Sequence, residues 1–433
     1  MMPPKRFPIR VSSRHPHRLE GADGRPFFLL GDTAWELFHR LTLDEADAYL
    51  AVRAEQGFNQ VWAALLAEFD GLRVPNRNGD LPFHHLDPRQ PNERYFAHAD
   101  AVMDRAASHG LGIGLLPTWG DKVTPDWGDG PVVFPVERPE IAQSYGELLG
   151  RRYADRSGVL WVLGGDRPAR RGEDDWTPVW RAMAAGIRAG GATQPMTYHP
   201  QGGSESTSVL LHEEPWLDIN AIQSGHGGGR DVPVERLVTR DLVLEPPKPT
   251  LDAEPNYEDH PVSPWPTWDP ANGYFDDHDV RKQAYRSLFA GACGVVYGHH
   301  SVWQFASERE PWINHVLMDW RMALRRPGAE SMRHLRELLE TDDWNDLRPA
   351  PELLIEPGEG GERAAAVRGP ERILVYRPTR RALPLELEGE HAVASMDPRN
   401  GERSDLGPYR GVLPAESPSE DAVFILTPRK TRT

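Results

Sequence analysis

Several things are scarce in this chain of 433 residues, and each shortage closes off a class of protein. There is one cysteine, Cys293, which excludes a disulfide within the chain and any cluster of thiolate metal ligands. No apolar run approaches the roughly 18 residues that a membrane-spanning helix needs, so no membrane partner is expected. Positive charge is also short. Lys and Arg number 49 against 65 Asp and Glu, a formal charge of −16, which opposes the counterion release that drives nucleic-acid binding. The opening residues include Lys5, Arg6 and Arg10 without an apolar stretch behind them, so no secretory signal is recognised and the cytoplasm is the expected location. A glycine-rich turn after the first buried segment, the mark of a dinucleotide-binding sheet, is missing too: Leu30-Gly-Asp-Thr-Ala-Trp stands there instead.

What is present is a repeating order of buried strand and amphipathic helix. Phe27 to Trp35 reads as a first strand; Thr42 with Glu45 forms a capping box that opens a helix ending near Gly57. Further strands are expected at Asn59 to Leu66, Leu111 to Gly120, Val159 to Pro168, Pro195 to His199, Asp218 to Gln223, Thr250 to Glu254 and Gly294 to His300. Helices are expected at Tyr95 to His109, Pro139 to Ala154, Asp175 to Arg188, Asp276 to Ala292 and Ile313 to Leu339. Eight such units joined by right-handed crossovers predict an α/β fold, a (β/α)₈ TIM barrel, over residues 1–348 with an N-terminal lead-in. From residue 349 the helical period disappears. Short strand-like runs broken by Gly, Pro, Asp and Asn predict a small C-terminal antiparallel β-sandwich over 349–433.

Two acids fall at the carboxyl ends of barrel strands, where this architecture places its chemistry. Asp166 follows Gly164-Gly165, and Glu254 precedes Pro255, which cannot donate to a ladder and so ends its strand. From the fourth and seventh strands both carboxylates enter one mouth from opposite sides. That arrangement suits glycoside hydrolysis, in which one carboxyl carries a proton to the leaving oxygen and the other attacks or activates water. A single acid at a strand end is more often a cap or an ion-pair partner; two at these strands reverse the odds. Alternation puts Thr250, Asp252 and Glu254 on one strand face, so Asp252 is expected beside Glu254, tuning it by like charge.

The strings Phe28-Leu-Leu-Gly-Asp-Thr-Ala-Trp, Trp161-Val-Leu-Gly-Gly-Asp and Leu251-Asp-Ala-Glu-Pro-Asn-Tyr-Glu, in that order, resemble the apiosidase-like TIM-barrel glycoside hydrolases, glycoside hydrolase family 140 and its relatives. Asp397-Pro-Arg-Asn-Gly-Glu resembles the signature of the collagen-binding-type β-sandwich that follows the barrel in that family. The resemblance implies a retaining mechanism with Asp166 as acid/base and Glu254 as nucleophile, and a plant-type oligo- or polysaccharide as substrate.

Softer candidates for holding the sugar are Asp32, Trp35, Trp119, His199, Gln223 and His299, each just after a barrel strand, together with Tyr257. Tyr257 and Glu258 follow Glu254 closely enough to orient it. Gly225-His-Gly-Gly-Gly-Arg has the glycine content of a phosphate loop but lacks its Lys-Ser/Thr, and is read as a substrate-side loop. His299 and His300 with His226 lack metal-ligand spacing, and the chemistry needs neither metal nor cofactor. The alternative function is a non-catalytic carbohydrate-binding barrel protein, which would have no use for a paired acid and base.

Overall fold

The computed structural model describes residues 6–125, 128–203, 206–262 and 267–429. Eight parallel strands form one sheet: β1 (Leu29–Thr33), β2 (Gln60–Ala64), β3 (Gly112–Leu116), β4 (Val159–Gly164), β5 (Met196–His199), β6 (Asn220–Ile222), β7 (Thr250–Asp252) and β8 (Gly294–Tyr297). β8 pairs back onto β1. The last seam, between β5 and β6, is closed by a parallel bridge from Thr197 to Ile219, by the Thr197 hydroxyl donating to the Ile219 carbonyl at 2.8 Å, and by the Met196 N–H donating to Asp218 at 2.8 Å. The predicted barrel is therefore present. Inside it Leu29, Trp62, Leu116, Leu160, Val162, Ile219, Leu251 and Val296 form a buried cluster. Full burial of each such aliphatic side chain is worth roughly 1.5–3 kcal/mol.

Around the barrel lie α1 (Leu43–Glu55), α2 (Glu93–Ser108), α3 (Pro139–Tyr153), α4 (Thr177–Ala189), α5 (Val234–Asp241), α6 (Asp277–Phe289) and α7 (Pro327–Leu339). The Thr42 and Glu45 capping box forms as its sequence spacing predicts, and Asp276 with Asp279 makes a second one at α6. The long helix expected from Ile313 is not continuous. A four-residue helix, Trp320–Ala323, is capped by Asp319, and α7 begins only at Pro327, because proline suits a first turn and interrupts an interior.

The N-terminal lead-in closes the bottom of the barrel. Leu19–Glu20 pairs with Pro26–Phe27 as a hairpin, and Ile9, Leu19 and Phe27 join the inner cluster. Arg18 is buried there, donating to the carbonyls of Gly291, Ala292 and Leu347 at 2.7–2.9 Å with its guanidinium 4.3 Å from the Trp344 ring. Cys293 lies in the same core, as its apolar surroundings predict.

At the C-terminus a six-stranded antiparallel sheet runs in the order Arg348–Pro349, Ala365–Arg368, Ile373–Arg377, Ala422–Pro428, His391–Met396, Arg403–Pro408, with Leu383–Pro384 and Val412–Leu413 pairing separately. The edge strand Arg403–Pro408 was not expected from the sequence. It lacks β-branched residues and is mostly exposed, as charged, glycine-containing edges tend to be. This sheet braces α6, which is buried along its whole length from Asp279 to Phe289: Tyr285 stacks on Tyr376 at 4.6 Å and Arg281 bonds Asp421 at 3.0 Å. The Asp397 motif is a turn in which Arg399 bonds back to Asp397, with Gly401 pressed against His334 of α7. Among the described residues no helix is long and apolar enough to cross a membrane.

Candidate active site

At the carboxyl ends of the strands the barrel opens into a cavity of about 350 Å³ lined by, among others, Trp35, Glu68, Trp119, Asp166, Gln223, Glu254 and Tyr257. Asp166 reaches it through a turn that ordinary residues resist. Gly164 and Gly165 have φ of +87° and +106°, and Asp166 itself has φ +53°. A side chain on Gly164 would meet the His199 carbonyl at 2.3 Å, so the two glycines let the chain press against its neighbours while it lifts Asp166 into the mouth.

Glu254 enters from the other side, two residues past β7. It is 5% exposed and held by two imidazoles: His199 Nε2 lies 2.8 Å from Oε2 and His226 Nε2 lies 3.2 Å from Oε1. His199 also joins the two acids. The backbone N–H of Asp166 donates to His199 Nδ1 at 3.3 Å, while Nε2 of the same ring lies against Glu254. Trp35 packs edge-on against the His199 ring at 5.2 Å and beside Trp119 at 5.1 Å, backing the ring that meets the Glu254 carboxyl and the Asp166 main chain.

His226 comes from the Gly225-His-Gly-Gly-Gly-Arg loop. A side chain at Gly225 would sit 2.5 Å from the Pro255 main chain, so glycine is what allows this loop to lie against the turn that carries Glu254. The His226 N–H donates to Asn256 Oδ1 at 2.9 Å, and its ring stacks on His260 with centroids 4.4 Å apart.

A family model described as the apiosidase-like catalytic domain matches residues 13–346. The chain belongs to the apiosidase-like family. Among solved structures, one described only as a glycoside hydrolase is 29% identical, with 99% of this chain and 98% of that one covered and a TM-score of 0.86. A family 5 glycoside hydrolase from Bacteroides vulgatus is 28% identical over 99% of this chain and 94% of that one, also at a TM-score of 0.86. A second glycoside hydrolase structure from that organism, 16% identical with a TM-score of 0.65, shares the fold. No curated protein matches. Family membership and these neighbours support glycosidase activity.

Electrostatically the two acids of this apiosidase-like barrel are pushed apart. Burial raises the Asp166 pKa, Arg167 opposes, and the negative charge of Glu254 raises it further. For Glu254 burial also acts upward, but hydrogen bonds and charge from His199 and His226 outweigh it and hold the carboxyl at about 2. One acid is thus biased toward its protonated form and the other toward its anion.

Not every residue expected in the mouth is there. Trp35, Trp119, Gln223 and Tyr257 line the cavity, and His199 reaches Glu254. Asp32 does not. It points out of the barrel toward α1, where it is fully buried, accepts from the Tyr49 hydroxyl and pairs with Arg53 Nε at 2.7 Å. His299 is also turned away, with Nε2 3.1 Å from Asp259 and Nδ1 accepting the Ser301 N–H. Glu258 is a satisfied structural acid, bonded by the Tyr297 hydroxyl and the Gly328 N–H. Asp252 does not share a face with Glu254 either: both its oxygens accept from Ser224 at 2.8–2.9 Å, and Ser224 in turn accepts from Gln283 of α6. Pairing of β7 ends at Asp252, so strict alternation stops before Glu254.

Glu68, His226, His260 and Trp303 also line the cavity, none of them among the candidates for holding the sugar. Trp268 lines the cavity too and stands edge-on to His260 at 4.7 Å. The one legible signal was His226, a histidine set among glycines directly after a barrel strand. Three candidate metal ligands, Asp276, His278 and Asp279, come together among the described residues, but away from this cavity and already engaged in the α6 capping box, the Asp279 pairs with Arg230 and Lys282, and the Pro378 carbonyl.

Proposed function

We propose that this protein is a retaining glycoside hydrolase acting on a plant-type glycan, with an apiosidase-like substrate as the first candidate. The observation that carries the reading is the placement of two carboxyls in one cavity, Asp166 past β4 with its pKa raised by burial and Glu254 past β7 between His199 and His226 with its pKa lowered. Asp166 protonates the glycosidic oxygen as the bond to the anomeric carbon breaks, and the Glu254 carboxylate bonds to that carbon, giving a glycosyl-enzyme. Asp166, now an anion, takes a proton from water, whose oxygen attacks the same carbon and expels Glu254. Gln223, whose side chain lies beside Asp166, and Tyr257, whose phenol sits beside Glu254, orient the pair. Trp35 and Trp119 offer apolar faces to a sugar ring. The cavity, at about 350 Å³, suits a terminal sugar or short oligosaccharide. We assign the reaction to residues 1–348 and a bracing role to the sheet that follows.

The test is a panel of aryl glycosides and apiose-bearing pectin fragments, followed by proton NMR so that the first-formed anomer is seen before mutarotation. Release of sugar with its anomeric configuration kept is the expected result. An inverted first product would overturn the double displacement, and tight binding with no hydrolysis across the panel would favour the carbohydrate-binding alternative.

A further inference from the structure

Glu68 stands four residues past β2 on a main chain that is clamped on both sides. Its N–H donates to Glu36 Oε1 at 3.2 Å, and its carbonyl accepts from Lys122 Nζ at 3.2 Å. Glu36 and Lys122 are fully buried, so the position of Glu68 is fixed by the core. Its side chain, by contrast, is only half-buried and lines the cavity alongside Trp35, Trp119 and Asp166. Among the described residues no hydrogen bond or ion pair reaches the Glu68 carboxyl. The other acids nearby are each engaged: Glu36 with His39 at 3.1 Å, Asp121 with Lys122 at 2.7 Å, and Asp166 with Arg167 at 3.4 Å. A carboxyl set on a rigid main chain, partly shielded at the cavity wall and without a partner among the described residues, has its hydrogen-bonding capacity open to a ligand.

We propose that Glu68 is a substrate-positioning residue that hydrogen-bonds a hydroxyl of the sugar on the Asp166 side of the cavity. This rests on the glycosidase reading above. Burial pushes the Glu68 carboxyl up to about 8, with Arg167 opposing and Asp166, Asp121 and Glu36 adding repulsion. At neutral pH it therefore holds a proton and can both donate and accept, matching a sugar hydroxyl, without adding a third negative charge beside Asp166 and Glu254. Once ionised it can only accept, and it repels the two acids.

The test compares wild type, Glu68→Gln and Glu68→Ala on the aryl glycoside that wild type cleaves fastest, across neutral and alkaline pH, with thermal melting as a check on folding. Loss of one hydrogen bond predicts a KM for Glu68→Ala raised about three- to tenfold with kcat little changed. Glu68→Gln, which keeps a donor and an acceptor, is expected within about twofold of wild type at neutral pH. The wild-type KM should climb above pH of about 8 while that of Glu68→Gln stays level. An unchanged KM in Glu68→Ala, or Gln and Ala variants equally impaired with equally lowered melting temperatures, overturns the proposal. If wild type cleaves no glycoside, the glycosidase reading fails and takes this role with it; cleavage by wild type with an unaltered Glu68→Ala KM removes the role of Glu68 alone.

Discussion

The two faces of the barrel sheet treat their acids differently. Away from the mouth Asp32, Asp252 and Glu258 are each tied to fixed donors: Arg53 and Tyr49 hold the first through one oxygen, Ser224 the second, Tyr297 and the Gly328 N–H the third. In the mouth Asp166, Glu254 and Glu68 have weaker or titratable company: Gln223 and a long contact to Arg167 for the first, two imidazoles for the second, and for the third no hydrogen bond or ion pair among the described residues. An acid tied to an arginine or a hydroxyl network is spent on stability. One held by imidazole and amide keeps a reactive lone pair or an exchangeable proton. Residue type is alike in both places; what differs is position, since Asp32 and Asp252 lie within β1 and β7 whereas Asp166, Glu254 and Glu68 follow the ends of β4, β7 and β2 by two to four residues.

The sharpest way to break this contrast is to neutralise one acid of the mouth. Glu254→Gln is expected to lower kcat about a thousandfold or more on any glycoside the wild type cleaves. The melting temperature should hardly move, because the amide still fits between His199 and His226. Rate measurements beside a thermal melt check it. Retained turnover would remove Glu254 from the reaction.

Asp32→Ala should do the reverse. It strands the Arg53 guanidinium, which is fully buried, and removing one partner of a buried pair costs about 3–5 kcal/mol. Denaturant unfolding should show that loss, while kcat per folded molecule stays near wild type. A large fall in kcat without destabilisation would put Asp32 back among the residues that serve the substrate.

Much of this arrangement can be read from the chain. The β/α alternation, the Thr42 capping box, and the placement of Asp166 after two glycines and of Glu254 before Pro255 all follow from local rules that survive in the fold. Direction is harder. Leu251 and Ala253 face the barrel interior, which puts Asp252 on the outer side, and extending the same alternation to Glu254 fails because pairing has already ended. Asp32 looks like a mouth residue until Arg53, 21 positions later, is seen to reach it from α1. Glu68, His260 and Trp303 come from loops without any period, so only the folded chain brings them to the cavity.

The smallest effect concerns Asp252. Burial raises its pKa from 3.8 to about 7, with the Ser224 hydroxyl opposing. Between those two values the unfolded chain has lost the proton and the folded one keeps it, so the folded state binds more protons and stability falls as pH rises through that window. Below about 4 both states are protonated and this contribution is fully present; above about 7 it is gone. Asp252→Asn, nearly isosteric with the protonated acid, should leave kcat unchanged and flatten this part of the stability profile. Unfolding midpoints measured from about pH 4 to pH 8 test it. If the asparagine variant keeps the slope, the proton belongs to another group; if it instead loses turnover as Glu254→Gln does, the outer face is not separate from the chemistry and the contrast between the two faces fails.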